Sequence, residues 1–450
     1  IYHKSFLPNY SVFDEARYFS KGTEPNTLFW YDDIAIGINI CEDIWIEDGP
    51  AEEQVKQGAS LIININASPY DIHKSETRKE IVMKKALKLN VPIIYLNMVG
   101  GQDELVFDGG SFVVNDLGEI IYQASSFKEE VFHLDIDLKT NKQNDKSPLI
   151  IRPKTIELKD VESKASLSKN ESIYSALKLG LKDYVRKNKF TKVLIGISGG
   201  IDSALTAAIC VDALGAENVI GVAMPSKYNS KDSLDDAIKL SDNLGITLKT
   251  IEIEKLVDDF RETLTNSLNE DLGQITDENI QSRVRGNILM GLSNQTGAMV
   301  VSTGNKSEMA VGYSTLYGDL AGGFALIKDL YKTKVYELSN YINSISDAIP
   351  KNIITKEPSA ELRPNQFDSD SLPDYEVLDK ILNLYIEEDS SSEKIIASGV
   401  NPDLVFDVLE KVDRNEYKRK QVAPGVKLTQ KAFGKDRRMP ITNTYIRQKE

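Results

Sequence analysis

Apolar runs alternate with turn residues and helical stretches along most of the chain. The runs 34–40, 61–66, 91–97, 193–197, 219–224 and 298–302 are dominated by Ile, Val, Leu and Ala. Short runs of this kind predict strands buried on both faces of a parallel sheet. The segments 112–115 and 248–253 predict two further strands. Helices are predicted over 51–57, 77–89, 204–213, 233–243 and 278–290. Over 171–187, Ile173, Ala176, Leu177, Leu181, Tyr184 and Val185 recur at helical spacing. The repeated strand–loop–helix order predicts an α/β protein with a doubly wound parallel sheet in its second part. A polar stretch over 139–170, with Pro148 and Pro153, reads as a connection. The predicted domains are 1–158 and 171–450, with 159–170 as the linker.

The apolar run at 193 passes into Ser198-Gly199-Gly200-Ile201-Asp202-Ser203 and then into an Ala-rich helix. A strand, a glycine turn and a helix start form an anion site, because glycine lets the backbone approach and the first helical N–H groups point outward. Ser198 and Ser203 add hydroxyl donors. Asp202 would repel phosphate, and makes sense with a divalent cation between the two. No Gly-Lys-Ser/Thr follows, so this is not a Walker loop. The hexapeptide resembles the pyrophosphatase loop of ATP-cleaving adenylating enzymes. That resemblance implies a step that leaves AMP on the substrate, and it leaves the substrate open.

Composition narrows the choice. The 450 residues carry 54 Lys and Arg against 68 Asp and Glu, a net charge of −14. Such a chain is a poor partner for nucleic acid or a membrane surface. No run is long enough to span a membrane. Two cysteines, Cys41 and Cys210, suit a reducing cytoplasm rather than a disulfide framework. Cys210 falls inside a predicted helix and reads as core.

Cys41 ends the strand 34–40 and precedes a turn, a place where a nucleophile is exposed and where a small buried hydrophobe also fits. Around it stand Lys4-Ser5-Phe6-Leu7-Pro8-Asn9-Tyr10, Phe13-Asp14-Glu15-Ala16-Arg17-Tyr18-Phe19 and the glycine-rich loop 100–111. These segments resemble the glutaminase domain of glutamine-dependent NAD synthetases, a nitrilase-type fold. The resemblance implies a partial nitrilase-like αββα sandwich with Cys41 as nucleophile and Lys4 as the cation beside it. It also implies Tyr10, Ser68 and Lys74 as glutamine-binding residues and Glu15 as an acid that orients Lys4. An ammonium near a thiol lowers its pKa, so a thiolate near neutral pH is expected. The chain opens at Ile1 without Met. The expectation is that a native N-terminal portion precedes it and carries the family's general-base Glu, with Glu42 and Glu104 the alternatives within the chain.

The second part resembles NAD synthetase over nearly all of 171–450. The matching blocks are the loop at Ser198, Ser302-Thr303-Gly304-Asn305-Lys306-Ser307-Glu308, Tyr317-Gly318-Asp319, Lys356-Glu357-Pro358-Ser359-Ala360-Glu361-Leu362 and Tyr417-Lys418-Arg419-Lys420. The fold implied is the adenine-nucleotide α-hydrolase-like (pyrophosphatase-loop) type. By position, Gly196, Ile197, Ser198, Gly199, Gly200, Ile201, Asp202, Ser203, Thr303, Lys332 and Ser359 would bind ATP. Met224 is a candidate neighbour of adenine from its place on the strand beside the loop. Asp202 and Glu308 would hold Mg²⁺. Asn279, Arg283, Glu308 and Lys418 or Lys420 would contact deamido-NAD. Leu316 stands where ammonia-dependent members carry a lysine. The implied reaction is ATP- and Mg²⁺-dependent amidation of deamido-NAD to NAD with ammonia from glutamine, in a cytoplasmic homodimer or larger homo-oligomer. The residues alone also admit a different adenylating amidotransferase such as GMP synthetase, or a tRNA-modifying protein. The acidic charge and the lack of Cys-x-x-Cys oppose the last.

Overall fold

The computed structural model describes residues 1–23, 27–138, 163–434 and 436–444. Most of the predicted connection, at 139–162, lies outside the described residues. The chain divides into two compact units, Ile1–Gly100 with Leu105–Lys169, and Gly101–Glu104 with Asn170–Glu450.

The first unit is built on strands β1 (Leu28–Tyr31), β2 (Ile34–Ile40), β3 (Leu61–Asn66), β4 (Ile93–Asn97), a two-stranded ribbon β5 (Val99–Gln102) and β6 (Leu105–Asp108), then β7 (Phe112–Val114) and β8 (Ile120–Gln123). Six of these form one sheet in the order β1-β2-β3-β4-β7-β8. The central pairs β2/β3 and β3/β4 are parallel. The helices Pro50–Lys56 and Lys74–Leu89 connect those strands. Ile62, Val82, Ala86, Ile93, Tyr95 and Phe112 pack into the core between helix and sheet. On the other face Ile65 and Leu96 remain 46% and 43% exposed. One sheet layer of the expected sandwich is present among the described residues, together with its helices.

The second unit holds a five-stranded, all-parallel sheet. Its strands are β9 (Val193–Gly196), β10 (Val219–Ala223), β11 (Thr247–Thr250), β12 (Met299–Ser302) and β13 (Phe324–Ala325), in the order β11-β10-β9-β12-β13. The chain moves outward from β9 to β11 and then returns to lie beside β9 as β12. That reversal opens a crevice at the carboxyl ends of β9 and β12, the usual ligand position in an open parallel sheet. The helix Gln274–Thr296 covers this region, with Ile280 and Val284 packed on Leu194, Val222 and Val300. A separate apolar cluster joins the helices Tyr375–Leu382 and Pro402–Arg414, through Leu378, Ile381, Val405 and Leu409. No described helix is long and apolar enough to cross a membrane.

One glycine fixes the turn after β9. Gly199 has φ +79, and a Cβ there would lie 2.3 Å from the Ser233 carbonyl oxygen. Neither the conformation nor the space admits a side chain. Gly199→Ala should therefore destabilise the second unit by about 1–3 kcal/mol, the usual range for a residue held in a disfavoured backbone region. Chemical denaturation followed by circular dichroism measures this. Parental stability would mean that the turn has another path.

Candidate functional site

In the first unit β2 ends on Cys41, which enters the 3-10 turn Cys41–Ile44 at φ +46. A left-handed non-glycine residue at a strand end is uncommon, and such residues cluster at working sites. Behind the turn, aligned parallel strands stack a ladder of buried amides. Asn64 donates to Asn39 at 2.6 Å and reaches the Cys41 carbonyl at 3.5 Å, and Asn66 donates to Asn64 at 2.7 Å. Lys4 donates to both oxygens of Glu15, at 2.8 and 2.6 Å. Burial pushes the Cys41 thiol up. The Lys4 charge and an N–H from Ala67 oppose this, Glu42 and Glu15 reinforce it, and the net direction is upward. The structure thus departs from the expectation of a thiolate near neutral pH, because burial penalises the anion more than Lys4 favours it.

The three residues expected to hold glutamine differ in setting. Tyr10 donates its hydroxyl to Glu42 at 3.0 Å and is half exposed. Lys74 places Nζ 4.4 Å from the centre of the Trp45 ring. Burial lowers the Lys74 pKa, while Asp71, Glu42 and Cys41 act to raise it. Ser68 is buried, and its Oγ accepts from Arg78 Nε at 3.1 Å. Arg78 is itself paired with Asp108 at 2.7 Å, so Ser68 is held rigidly by a buried ion pair. Of the two alternative bases, Glu42 flanks Cys41, whereas Glu104 pairs with Lys328 within the second unit.

In the second unit a cavity of about 750 Å³ opens at the carboxyl ends of β9 and β12. Gly196, Ile197, Ser198, Gly199, Gly200, Ile201, Asp202 and Ser203 line it, as do Met224, Asn279, Thr303, Glu308, Lys332, Ser359 and Lys418. The turn is braced from within: Ser198 Oγ lies 3.2 Å from Ser203 Oγ and accepts from the Gly200 N–H at 3.2 Å. The helix Ile201–Leu214 starts here with no side-chain cap. Its first N–H groups therefore open toward the cavity.

Charges in the cavity are shared unevenly. Lys332 pairs with Asp202 and stands 3.6 Å from Glu308. Burial lowers the Lys332 pKa, but Asp202 and Glu308 outweigh it and the net shift is upward. The Glu308 carboxyl is pushed up by burial and by Asp202, with Lys332 opposing. One lysine thus serves two carboxylates. Asn305 holds both in place, donating to Asp202 at 2.9 Å and from its backbone to Glu308 at 3.1 Å.

Two expected contacts fall elsewhere. Arg283 is exposed, donates to the Leu316 carbonyl at 3.2 Å and does not line the cavity. Lys420 stands 3.7 Å from Glu416 and is also outside the lining, whereas Lys418 lies within it and donates to the Gly312 and Ser314 carbonyls at 2.6 and 2.8 Å. The helix Gln274–Thr296 lines the cavity with Ile275, Glu278, Asn279, Ser282, Arg285, Gly286 and Leu289. Asn279 sits near one edge of that face, and Arg283 falls beyond the edge. Arg285 was missed by the sequence reading. It donates to the Met224 carbonyl at 3.1 Å and to Asn229 at 3.2 Å, and burial lowers its pKa to about 10. No spacing in the sequence marks it, because the side of the helix that faces the cavity is set by partners distant in the chain.

Comparison with known proteins agrees with this division. The carbon-nitrogen hydrolase family matches residues 1–144 and the NAD synthase family residues 173–422. The glutamine-dependent NAD(+) synthetase of Aquifex aeolicus is 47% identical, over 99% of this chain and 82% of its own length. That of Thermotoga maritima is 48% identical over 99% and 81%. The structure of the Acinetobacter baumannii glutamine-dependent NAD+ synthetase, in complex with ADP, shares 44% identity and a TM-score of 0.72, covering 98% of this chain and 78% of that one. The Cytophaga hutchinsonii synthetase shares the fold at a TM-score of 0.78 and 21% identity. With near-complete coverage at such identity, a hydrolase-type unit bearing Cys41 and a synthase unit bearing the Ser198–Ser203 loop, the chain belongs to the glutamine-dependent NAD+ synthetases.

Proposed function

We propose that the chain performs its synthetase reaction as an ATP- and Mg²⁺-dependent amidation of deamido-NAD through an acyl-adenylate. AMP and pyrophosphate are the products beside NAD. The observation that carries this reading is a single cavity lined by the phosphate loop, the Asp202–Lys332–Glu308 cluster, and Asn279, Arg285 and Lys418. In the first step the nicotinate carboxylate attacks the α-phosphorus of ATP and pyrophosphate leaves. The N–H groups at the start of the helix Ile201–Leu214, with Ser198 and Ser203, would hold the departing phosphates. Met224 would flank adenine, with Thr303 and Ser359 lining the same nucleotide site. Asn279, Glu308 and Lys418 would orient the dinucleotide, with Arg285 as a further cation. In the second step ammonia attacks the acyl carbon and AMP leaves.

The donor set fits Mg²⁺. Asp202 and Glu308 offer hard carboxylate oxygens, and Glu308 is pushed up first by burial and then by the Asp202 charge, with Lys332 opposing. Among the described residues there is no cluster of three or more candidate ligands. Asp202 and Glu308 would hold the ion together with substrate phosphates and water. Bound there, Mg²⁺ supplies charge compensation for the leaving pyrophosphate.

Ammonia comes from glutamine at Cys41. The sulfur attacks the side-chain amide carbonyl, ammonia departs, and water releases glutamate from the thioester. Because the resting thiol is protonated, its proton is lost as sulfur attacks and returned to the departing nitrogen. Lys4, oriented by Glu15, stabilises the developing negative charge.

Three outcomes are expected. Asp202→Asn should lower ammonia-driven NAD formation at least ~10²-fold, the scale for losing a charge-stabilising group; undiminished turnover in folded protein would refute the synthetase assignment. Cys41→Ala should abolish the glutamine-driven reaction and spare the ammonia-driven one, and the same phenotype from Cys210→Ala instead would transfer the role. Third, iodoacetamide labelling of Cys41, followed by mass spectrometry, should rise with pH through a midpoint above the ordinary thiol value of about 8.5. Lys4→Ala should move that midpoint further up, since the lysine opposes the burial shift. A midpoint below the ordinary value would mean that burial is not the dominant effect.

A further inference from the structure

Asp43 has no part in the chemistry above, yet its side chain is fully buried and takes four hydrogen bonds. One oxygen accepts from the backbone N–H of Ser5 at 3.1 Å and of Phe6 at 2.9 Å. The other accepts from the Ile40 N–H at 3.0 Å and the Tyr2 hydroxyl at 2.7 Å. The first two donors follow directly on Lys4, and the third directly precedes Cys41. One carboxylate therefore ties the segment that bears the cation to the turn that bears the nucleophile.

The division of work with Glu15 is clear from the partners. Glu15 holds the Lys4 ammonium, and Asp43 holds the backbone on which Lys4 stands. The same backbone is held again by Gly22, whose N–H donates to the Lys4 carbonyl at 2.8 Å. A Cβ at Gly22 would lie 2.3 Å from the His3 carbonyl oxygen. The segment is thus held at two places, and its tie to the Cys41 turn is Asp43. Closing the 3-10 turn requires only the bond from Ile40. The bonds from Ser5 and Phe6 add nothing to the turn, and they are the ones that place Lys4.

We infer that Asp43 is a positioning residue of the glutamine half-reaction, setting the placement of Lys4 relative to Cys41. The inference rests on the reading of Cys41 as nucleophile and Lys4 as its cation. Asp43→Asn preserves shape but presents an amide N–H₂ to two of the four donors, which should loosen the tie. A displacement of about 1 Å at a reacting centre costs on the order of 10²-fold. The glutamine-driven kcat should fall on that scale, with KM for glutamine and the ammonia-driven rate near parental. The pH midpoint for Cys41 alkylation should rise, as Lys4 withdraws. In a Lys4→Ala background Asp43→Asn should add little, because its effect passes through Lys4.

Both tryptophans, Trp30 and Trp45, belong to the first unit, so tryptophan fluorescence reports its folding. If Asp43→Asn unfolds that unit, Tyr2→Phe decides, since it removes one donor to the carboxylate without creating a new buried polar group. It should lower kcat and raise the alkylation midpoint less than Asp43→Asn would, but in the same directions. Parental kcat in folded Asp43→Asn, or equal losses with and without Lys4, overturns the inference; so does a parental profile in Tyr2→Phe when Asp43→Asn does not fold. The Cys41→Ala control separates the levels. Glutamine turnover surviving in it defeats the reading of the site, whereas its loss there and persistence in Asp43→Asn defeats the positioning role alone.

Discussion

Parallel pairing is the constraint on which both candidate sites depend. Parallel strands all point their carboxyl ends to one edge, so the turns that follow gather there. In the first unit the aligned β2, β3 and β4 bring Asn39 beside Asn64 and Asn66 beside Asn97. The amide ladder they form supports the turn at Cys41. In the second unit β9 and β12 pair directly, so the phosphate loop and the Thr303–Glu308 segment emerge side by side. Asp202 and Glu308 belong to different segments and meet only because these strands are neighbours. Antiparallel order would send the turns to opposite edges.

Electrostatics then distinguishes residues that the sequence treats alike. Cys41 and Cys210 are both buried. For Cys210 burial is the one influence and pushes the thiol far up. For Cys41 the same effect is opposed by Lys4 and a backbone N–H. The difference lies in placement, Cys41 at a strand end and Cys210 in a helix interior. In the synthetase cavity Lys332 is likewise set apart from other lysines by two carboxylates across it.

Much of the fold was legible because buried parallel strands read as short apolar runs. The expected 34–40 and 61–66 match β2 and β3 residue for residue. The run 248–253 did not hold its length. β11 covers Thr247–Thr250 at the sheet edge, where its residues are largely exposed and the pattern is weak. The helix expected over 278–290 extends to Gln274–Thr296, between Gly273 and Gly297, because its polar ends hide the period. Loop motifs in the synthetase half were legible as a resemblance, and their convergence on one cavity required the sheet order. Asp43, the Arg78–Asp108 pair and Arg285 were not legible. Each acts on partners tens of residues away, and spacing along the chain carries no trace of that.

The two arginines of the helix Gln274–Thr296 differ in setting. Arg283 and Arg285 are two positions apart, which on a helix turns one away from the other's direction. Either fits a basic helical face in sequence. Burial separates them: Arg283 spends its donor on an exposed loop carbonyl, while Arg285 is enclosed, hydrogen-bonded to a carbonyl and an amide oxygen and attracted by Glu361. Burial lowers the Arg285 pKa to about 10 and Glu361 opposes this, so the guanidinium stays charged at neutral pH and favours a nearby anion. Arg285 lines the cavity, whereas Arg283 lies outside its lining. Burial and placement, more than residue type, therefore set Arg285 apart as the arginine that this helix presents to the cavity.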